Sequence, residues 1–538
     1  MEVEIFGWAM PLSWFLLLAA VILYFVYDTW CHTYWRRKGV VSESAWPVIG
    51  CMREFSKGIP QVFTNMGKRH GKVYGFYSFY DPVLVITEPD MLRDIMVKNF
   101  GNFHSRVRFP LTNKEFIEGV GTLEGERWKE VRNLLTPTFS GSKMKLMSSL
   151  VNDSADNLLK NIGKEQNDKG YMECRKLFGA FVMDTIGSCA FGLNIDSQGR
   201  PNDPFVTHAQ RAFRIDQNSP IFVISAMFPS IGRLLAECGY GFVPRDVVQF
   251  FCDVTLKAVA LRKQTVGAVK KKLVDFLQLM LNAQSPSSEV DQLPADEKDD
   301  EDDIHADIER HHNMEYHAKK YAQRIQLSDT ELIGQAMTFF TAGYETTNTL
   351  LGFVFYLLST HPEIQEKLIE EVDEMTPSRD SVGYTSIATM PYLDQVVCET
   401  LRLYPPAAVT NRMCHETFTY KDLTIEKGVQ VFIPIYNIQR DGDYWADPDK
   451  FDPSRFSKAN REKHHPFAWI PFGAGPRNCI GMRFALMEAK MAIARVLQKY
   501  RFETCSQTEI PLKLGNNGFL APPDGVTLRA VARKDAVF

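Results

Sequence analysis

Polar and apolar positions follow three rhythms along this chain. Phe6 to Tyr27 is 22 residues without a charge, long enough to span the ~30 Å of a bilayer's hydrocarbon. Lys72–Tyr80 and Pro82–Thr87 then alternate apolar and polar positions as strands do. From residue 120 to 350 apolar residues recur mostly every three or four positions, as in Trp128–Leu135 and 266–281, which predicts helices. The longest such run covers Glu331 to Leu358. Residues 285–325 interrupt it with dense acidic charge and scattered histidines, which predicts a solvated, mobile loop rather than a metal site. Phe418–Ile425 and Gly428–Tyr436 read as short strands again. The pattern predicts a membrane anchor over 1–35, a hinge over 36–50, and one mainly α catalytic domain with small β-sheets over 51–538.

The anchor carries a direction. Trp8, Trp14, Tyr24, Tyr27 and Trp30 gather toward its ends, where interfacial aromatics sit. Glu2 and Glu4 precede it and Arg36, Arg37 and Lys38 follow, so the positive-inside rule puts the rest of the chain on the cytosolic side. A cleaved signal peptide would need basic residues first, a shorter apolar run and a small-residue cleavage site, and none is evident. A net charge of −4 gives no basic field for nucleic acid. Ten cysteines are scattered without a Cys-x-x-Cys pair, which fits reduced thiols better than a disulfide framework or a zinc site.

The candidate chemistry centres on Phe472-Gly-Ala-Gly-Pro-Arg-Asn-Cys-Ile-Gly481. Glycines let the backbone approach a bulky partner and turn amide N–H groups toward the sulfur of Cys479. The helical run from Met482 aims its positive end at the same sulfur, favouring thiolate. A haem iron with a cysteine axial ligand requires such a thiolate. The plain alternative is a buried free cysteine in a tight turn. Within the long helical run, Ala342-Gly343-Tyr344-Glu345-Thr346-Thr347 sets a glycine beside a carboxylate and two hydroxyls. Gly343 would admit a flat ligand, a back-bonding threonine can loosen the helix, and a carboxylate can relay protons. A simple helix kink explains the same residues. Glu399 and Arg402 share one face of an otherwise apolar helix, so they form a buried pair that needs a third partner. Trp128 and Arg132, one turn apart, offer an indole donor and a guanidinium that can reach a carboxylate.

The decapeptide matches the haem signature of the cytochrome P450 family at every defining position, and the other motifs follow in the family's order, so most of the chain after residue 45 resembles that family. The resemblance implies the cytochrome P450 fold, haem b as cofactor, and Cys479 as the axial ligand of its iron. It implies that Thr346 steers protons during dioxygen activation with Glu345 in support. It places Trp128, Arg132, Arg106, Arg412 and Arg477 toward the haem propionates and Phe472 against the haem. Glu399, Arg402 and Arg455 are implied as a structural triad; Ser454 stands where the family usually has Glu. Leu134–Lys145 resembles the 3A subfamily, whereas Ala342–Glu345 and Pro391–Asp394 resemble thromboxane synthase.

These likenesses imply a monooxygenase on the endoplasmic reticulum membrane, single-pass and cytosol-facing, that inserts one oxygen atom from O2 into a lipophilic xenobiotic, steroid or fatty acid. Electrons would come from NADPH through a separate flavoprotein reductase, with cytochrome b5 as a further partner, docking on a basic face around Cys479. Pro220–Pro229 and Gly239–Val243 are expected either to dip into the bilayer surface or to be core helices. Two rivals remain: an endoperoxide isomerase, which in thromboxane synthase has apolar residues where this chain has Thr346 and Thr347, and a haem-binding sensor or carrier, which has no need of a proton path.

Overall fold

The computed structural model describes residues 2–5, 8–200, 202–213, 219–265, 275–284, 326–515 and 518–534. The expected acidic loop 285–325 and residues 266–274 of the predicted helical run lie outside the described residues.

Helix α1, Leu12–His32, is long and apolar enough to cross a membrane, with a mean hydropathy of 1.8 over its most apolar window. It starts later than the apolar run because Pro11 disfavours helical backbone at the residue before it. Ahead of it, Glu2–Ile5 pairs antiparallel with Trp8–Pro11. The C-terminal end of α1 is docked on the rest of the molecule. Asp28 accepts the Val48 N–H at 2.8 Å, and the Tyr24 and Tyr80 hydroxyls meet at 2.8 Å. Trp35 is fully buried over Gly75, where a Cβ would come within 2.3 Å of the indole. Residues 36–50, expected as a hinge, lie along the neighbouring sheet, with the Glu43 N–H donating to the Gly75 carbonyl at 2.9 Å.

That sheet has four strands: β1 (Val73–Ser78), β2 (Asp81–Ile86), β3 (Thr410–Met413) and β4 (Gln430–Ile433). Their order is β1-β2-β4-β3, antiparallel except for the parallel pair β2–β4, which brings Val83 opposite Gln430. Helices dominate elsewhere, as the periodicity predicts. The ones that matter for the site are α2 (Gly125–Leu135), α3 (Gly141–Lys169), α4 (Cys174–Phe191), α5 (Pro204–Ala212), α6 (Pro220–Met227), α7 (Pro229–Glu237), α8 (Arg245–Thr265), α9 (Asp329–Thr360), α10 (Pro391–Leu403) and α11 (Met482–Leu497).

Helix α9 is the axis of the molecule. Its 32 residues begin at a capping box: Ser328 Oγ accepts the Glu331 N–H at 3.2 Å, while Glu331 accepts the Ser328 N–H at 2.9 Å. It packs against α4, α8, α10 and α11, and α3 closes the far side of α4 and α11. Such a helix, covered on nearly every side, must be apolar almost all round, and from Leu350 to Leu358 it is. Any polar residue along its middle therefore needs a specific partner.

Candidate active site

The turn before α11 is shaped by glycine. Gly473 and Gly475 have φ of 73° and 70°, and a Cβ on Gly475 would lie 1.9 Å from the Met96 carbonyl oxygen. Only a residue without a side chain fits there. The turn closes where the Cys479 N–H donates to the Phe472 carbonyl at 2.8 Å. Phe472 itself is half-buried against the main core. The Cys479 side chain is open to a cavity, although protein surrounds it on all sides. Burial pushes its pKa up, opposed by the Gly481 N–H and by the charges of Arg132 and Arg106.

The cavity has a volume of about 130 Å³ and an apolar wall that includes Phe139, Ile186 and Phe339. Cys479 and Phe484 line one side; Ala342, Gly343, Thr346 and Thr347 of α9 line another. Thr346 donates its hydroxyl to the Ala342 carbonyl at 2.7 Å, the back-bond expected from the sequence. Glu345 does not line the cavity. One residue along a helix is a 100° rotation, and here it turns the carboxylate toward α4, where Arg175 Nη2 lies at 2.7 Å.

Buried Arg412 and Arg477 and half-buried Arg106 gather near Cys479 without a paired carboxylate among the described residues. Arg477 donates to the carbonyls of His104, Val120 and Leu123, and its guanidinium lies 4.4 Å from the ring centre of buried Trp128. Arg412 donates to the Asn411 carbonyl at 2.7 Å, and Arg106 to the Arg477 carbonyl at 3.3 Å. Among the described residues no carboxylate forms an ion pair with any of the three, and Nε of both Arg106 and Arg412 lacks a hydrogen-bond partner. Burial and mutual repulsion push Arg477 down to about 8 and Arg412 down to about 9, and burial lowers Arg106 too. Because a guanidinium keeps its proton in a protein, the cost stands as uncompensated positive charge. Arg132 instead clamps the thiol turn, donating to the Asn478 carbonyl at 2.9 Å and to its Oδ1 at 2.7 Å. A thiol facing an apolar cavity, edged by unpaired guanidiniums, fits a flat hydrophobic ligand with a metal centre and acidic arms.

Glu399, Arg402 and Arg455 meet away from the cavity. Arg402 Nε and Nη2 fork onto Glu399 at 2.6 and 2.8 Å with both side chains fully buried, and Arg455 Nε lies 3.4 Å from Glu399. Arg402 also donates to the carbonyls of Gln439, Pro448 and Lys450. Ser454 is exposed and its hydroxyl donates to Asp452 at 2.6 Å.

Two polar residues escaped the sequence reading. Arg175 gave no signal, since nothing local ties it to Glu345. Glu488 is fully buried on α11, near the hydroxyls of Thr185 and Thr347, and burial holds its carboxyl well above the usual carboxylate range. Its signal was a carboxylate inside the apolar run Phe484–Ala494.

The family model described as Cytochrome P450 matches residues 41–309 and 296–530. Cytochrome P450 3A14 of Cavia porcellus and 3A6 of Oryctolagus cuniculus are both 36% identical to this chain, over 98% and 97% of it and 97% of each relative. Cytochrome P450 3A13 of Mus musculus is 35% identical over 98% of the chain and 97% of its own length. The unpaired arginines and open thiol suit the cofactor that this kinship brings, haem b. The chain belongs to the cytochrome P450 family, as a haem-thiolate monooxygenase.

Proposed function

We propose that this monooxygenase oxidises a lipophilic small molecule at the cavity between Cys479 and Thr346, using electrons that a flavoprotein reductase draws from NADPH. The observation that carries the reading is that the thiol and the Thr346 hydroxyl line one apolar cavity. The Cys479 thiolate would hold haem at its iron, and the bound haem would supply the redox chemistry that splits dioxygen. Arg106, Arg412 and Arg477 would hold the propionates, which would give their charge its counterion. Trp128 supports Arg477 from beneath, and Arg132 keeps the thiol turn closed. Phe472 backs the same turn. Thr346 holds a proton at Oγ1 on the cavity wall, and Glu345, tied to Arg175, supports the same helical turn from behind. The triad of Glu399, Arg402 and Arg455 keeps the core rigid.

The apolar walls favour a neutral, hydrophobic substrate such as a xenobiotic, steroid or fatty acid. Exposed Ile221 and Ile224 on α6, Ile231 and Leu234 on α7, and Phe228 between them support a membrane-facing surface, and α1 supports a single-pass anchor in the endoplasmic reticulum with the domain on the cytosolic side. Cytochrome b5 is proposed as a second electron donor.

Thr346→Ala tests the mechanism. Product formed per NADPH should fall about a hundredfold, the low end of what a lost general acid costs. Unchanged product yield and coupling would remove Thr346 from the mechanism. Product formation from an endoperoxide without NADPH or reductase would favour an isomerase instead.

A further inference from the structure

One hydrogen-bonded node behind the cavity joins three helices. Gln210 of α5 donates to the Tyr344 hydroxyl of α9 at 3.1 Å. Tyr344 is fully buried, and its hydroxyl occupies the notch left by Gly179 of α4, where a Cβ would lie 2.6 Å away. Burial pushes Tyr344 up to about 12, so the hydroxyl stays neutral. Next to it, Glu345 pairs with Arg175 of α4, and Asn348 donates to the Arg175 carbonyl at 3.1 Å. Tyr344, Glu345 and Asn348 thus fix one turn of α9 to α4, and Gln210 adds α5. That same turn presents Gly343 and Thr346 to the cavity. The ion pair Arg211–Asp246, which ties α5 to α8, is solvent-exposed and so contributes little. The Gln210 bond is half-buried and ends on a fully buried hydroxyl, so of these two it is the stronger polar tie of α5.

We propose that Gln210 is a positioning residue for the oxidation: its bond to Tyr344 couples the seating of α5 to the turn that holds the Thr346 hydroxyl against the cavity. The inference rests on the proton role given to Thr346 above. Loss of the bond frees the turn, and electrons then leave as hydrogen peroxide rather than in product.

The test uses full-length, haem-loaded protein with reductase, NADPH and testosterone as the lipophilic probe, in Gln210→Leu, Tyr344→Phe, their double variant and Thr346→Ala. Hydrogen exchange of the 342–348 amides, read in resting protein without turnover, should speed up about fivefold in each single variant, the scale of one lost neutral hydrogen bond. The ratio of peroxide formed to NADPH consumed should rise in both, with the double variant no worse than either single one. If Thr346→Ala raises that ratio while Gln210→Leu changes neither ratio nor exchange, the coupling is wrong and the role of Thr346 stands. If Thr346→Ala leaves the ratio unchanged, that role fails and the inference falls with it. Additive effects in the double variant would also overturn the coupling, because the two residues would then act separately.

Discussion

Two groups of buried arginines sit in this molecule under opposite conditions. Arg402 is forked onto Glu399, caps three backbone carbonyls, and stacks 5.1 Å from the ring centre of Trp445. Every cost of burying its charge is met within the chain. Arg412 and Arg477 are almost as deeply buried and Arg106 is half-buried, yet they meet carbonyls, one hydroxyl, the Trp128 ring and one another, and no paired carboxylate. The first arrangement stabilises a fold. The second leaves positive charge with no carboxylate paired to it among the described residues, which supports the proposal that it faces the acidic arms of a ligand.

The contrast breaks most readily at the paired group. Glu399→Gln removes the charge that Arg402 and Arg455 share, and should cost about 3–5 kcal/mol, as loss of one partner from a buried pair does. A drop in the urea midpoint of the haem-loaded protein would register it. Glu488 sharpens the comparison from the acidic side, as a buried carboxyl with no cation on it. Its folded pKa is raised, so the folded state binds a proton that the unfolded state has released above about pH 4.3. Stability is therefore lost as pH rises from that value toward the folded pKa, by about 1.4 kcal/mol per pH unit. Glu488→Gln should remove the slope, leaving little difference from wild type near pH 4 and a more stable protein at pH 8. Urea titrations at the two pH values check the sign. The smallest effect is expected from Ser454→Glu, which returns a carboxylate to the exposed side of Arg455. It should add no more than about 1 kcal/mol, and less at high salt, as surface pairs do.

Local pattern carried the reading of the thiol turn, α9 and the Glu399–Arg402 pair, because spacing alone puts those residues together. Hydropathy gave an apolar span from Phe6 to Tyr27 but no helix boundary; the helix runs Leu12–His32, starting after Pro11. The direction of Glu345 was not legible. Its partner Arg175 lies 170 residues away, and only the packing of α4 on α9 reveals it. The docking of Trp35 over Gly75 was hidden for the same reason: a glycine inside a strand signals a close approach without saying what approaches. Arg106 and Arg412 could be named only through family resemblance, and their lack of acids needed coordinates.

The claim that these arginines are built for haem has one direct measurement: thermal unfolding of Arg412→Leu beside wild type, each with and without haem. Without haem the variant should melt a few degrees higher, because a buried uncompensated charge is gone. With haem it should melt lower and lose haem about tenfold faster, because a propionate has lost its partner, a change of about 1.4 kcal/mol. A variant less stable in both states, with haem retention unchanged, would show that Arg412 belongs with Arg402 as part of the fold and would contradict the account.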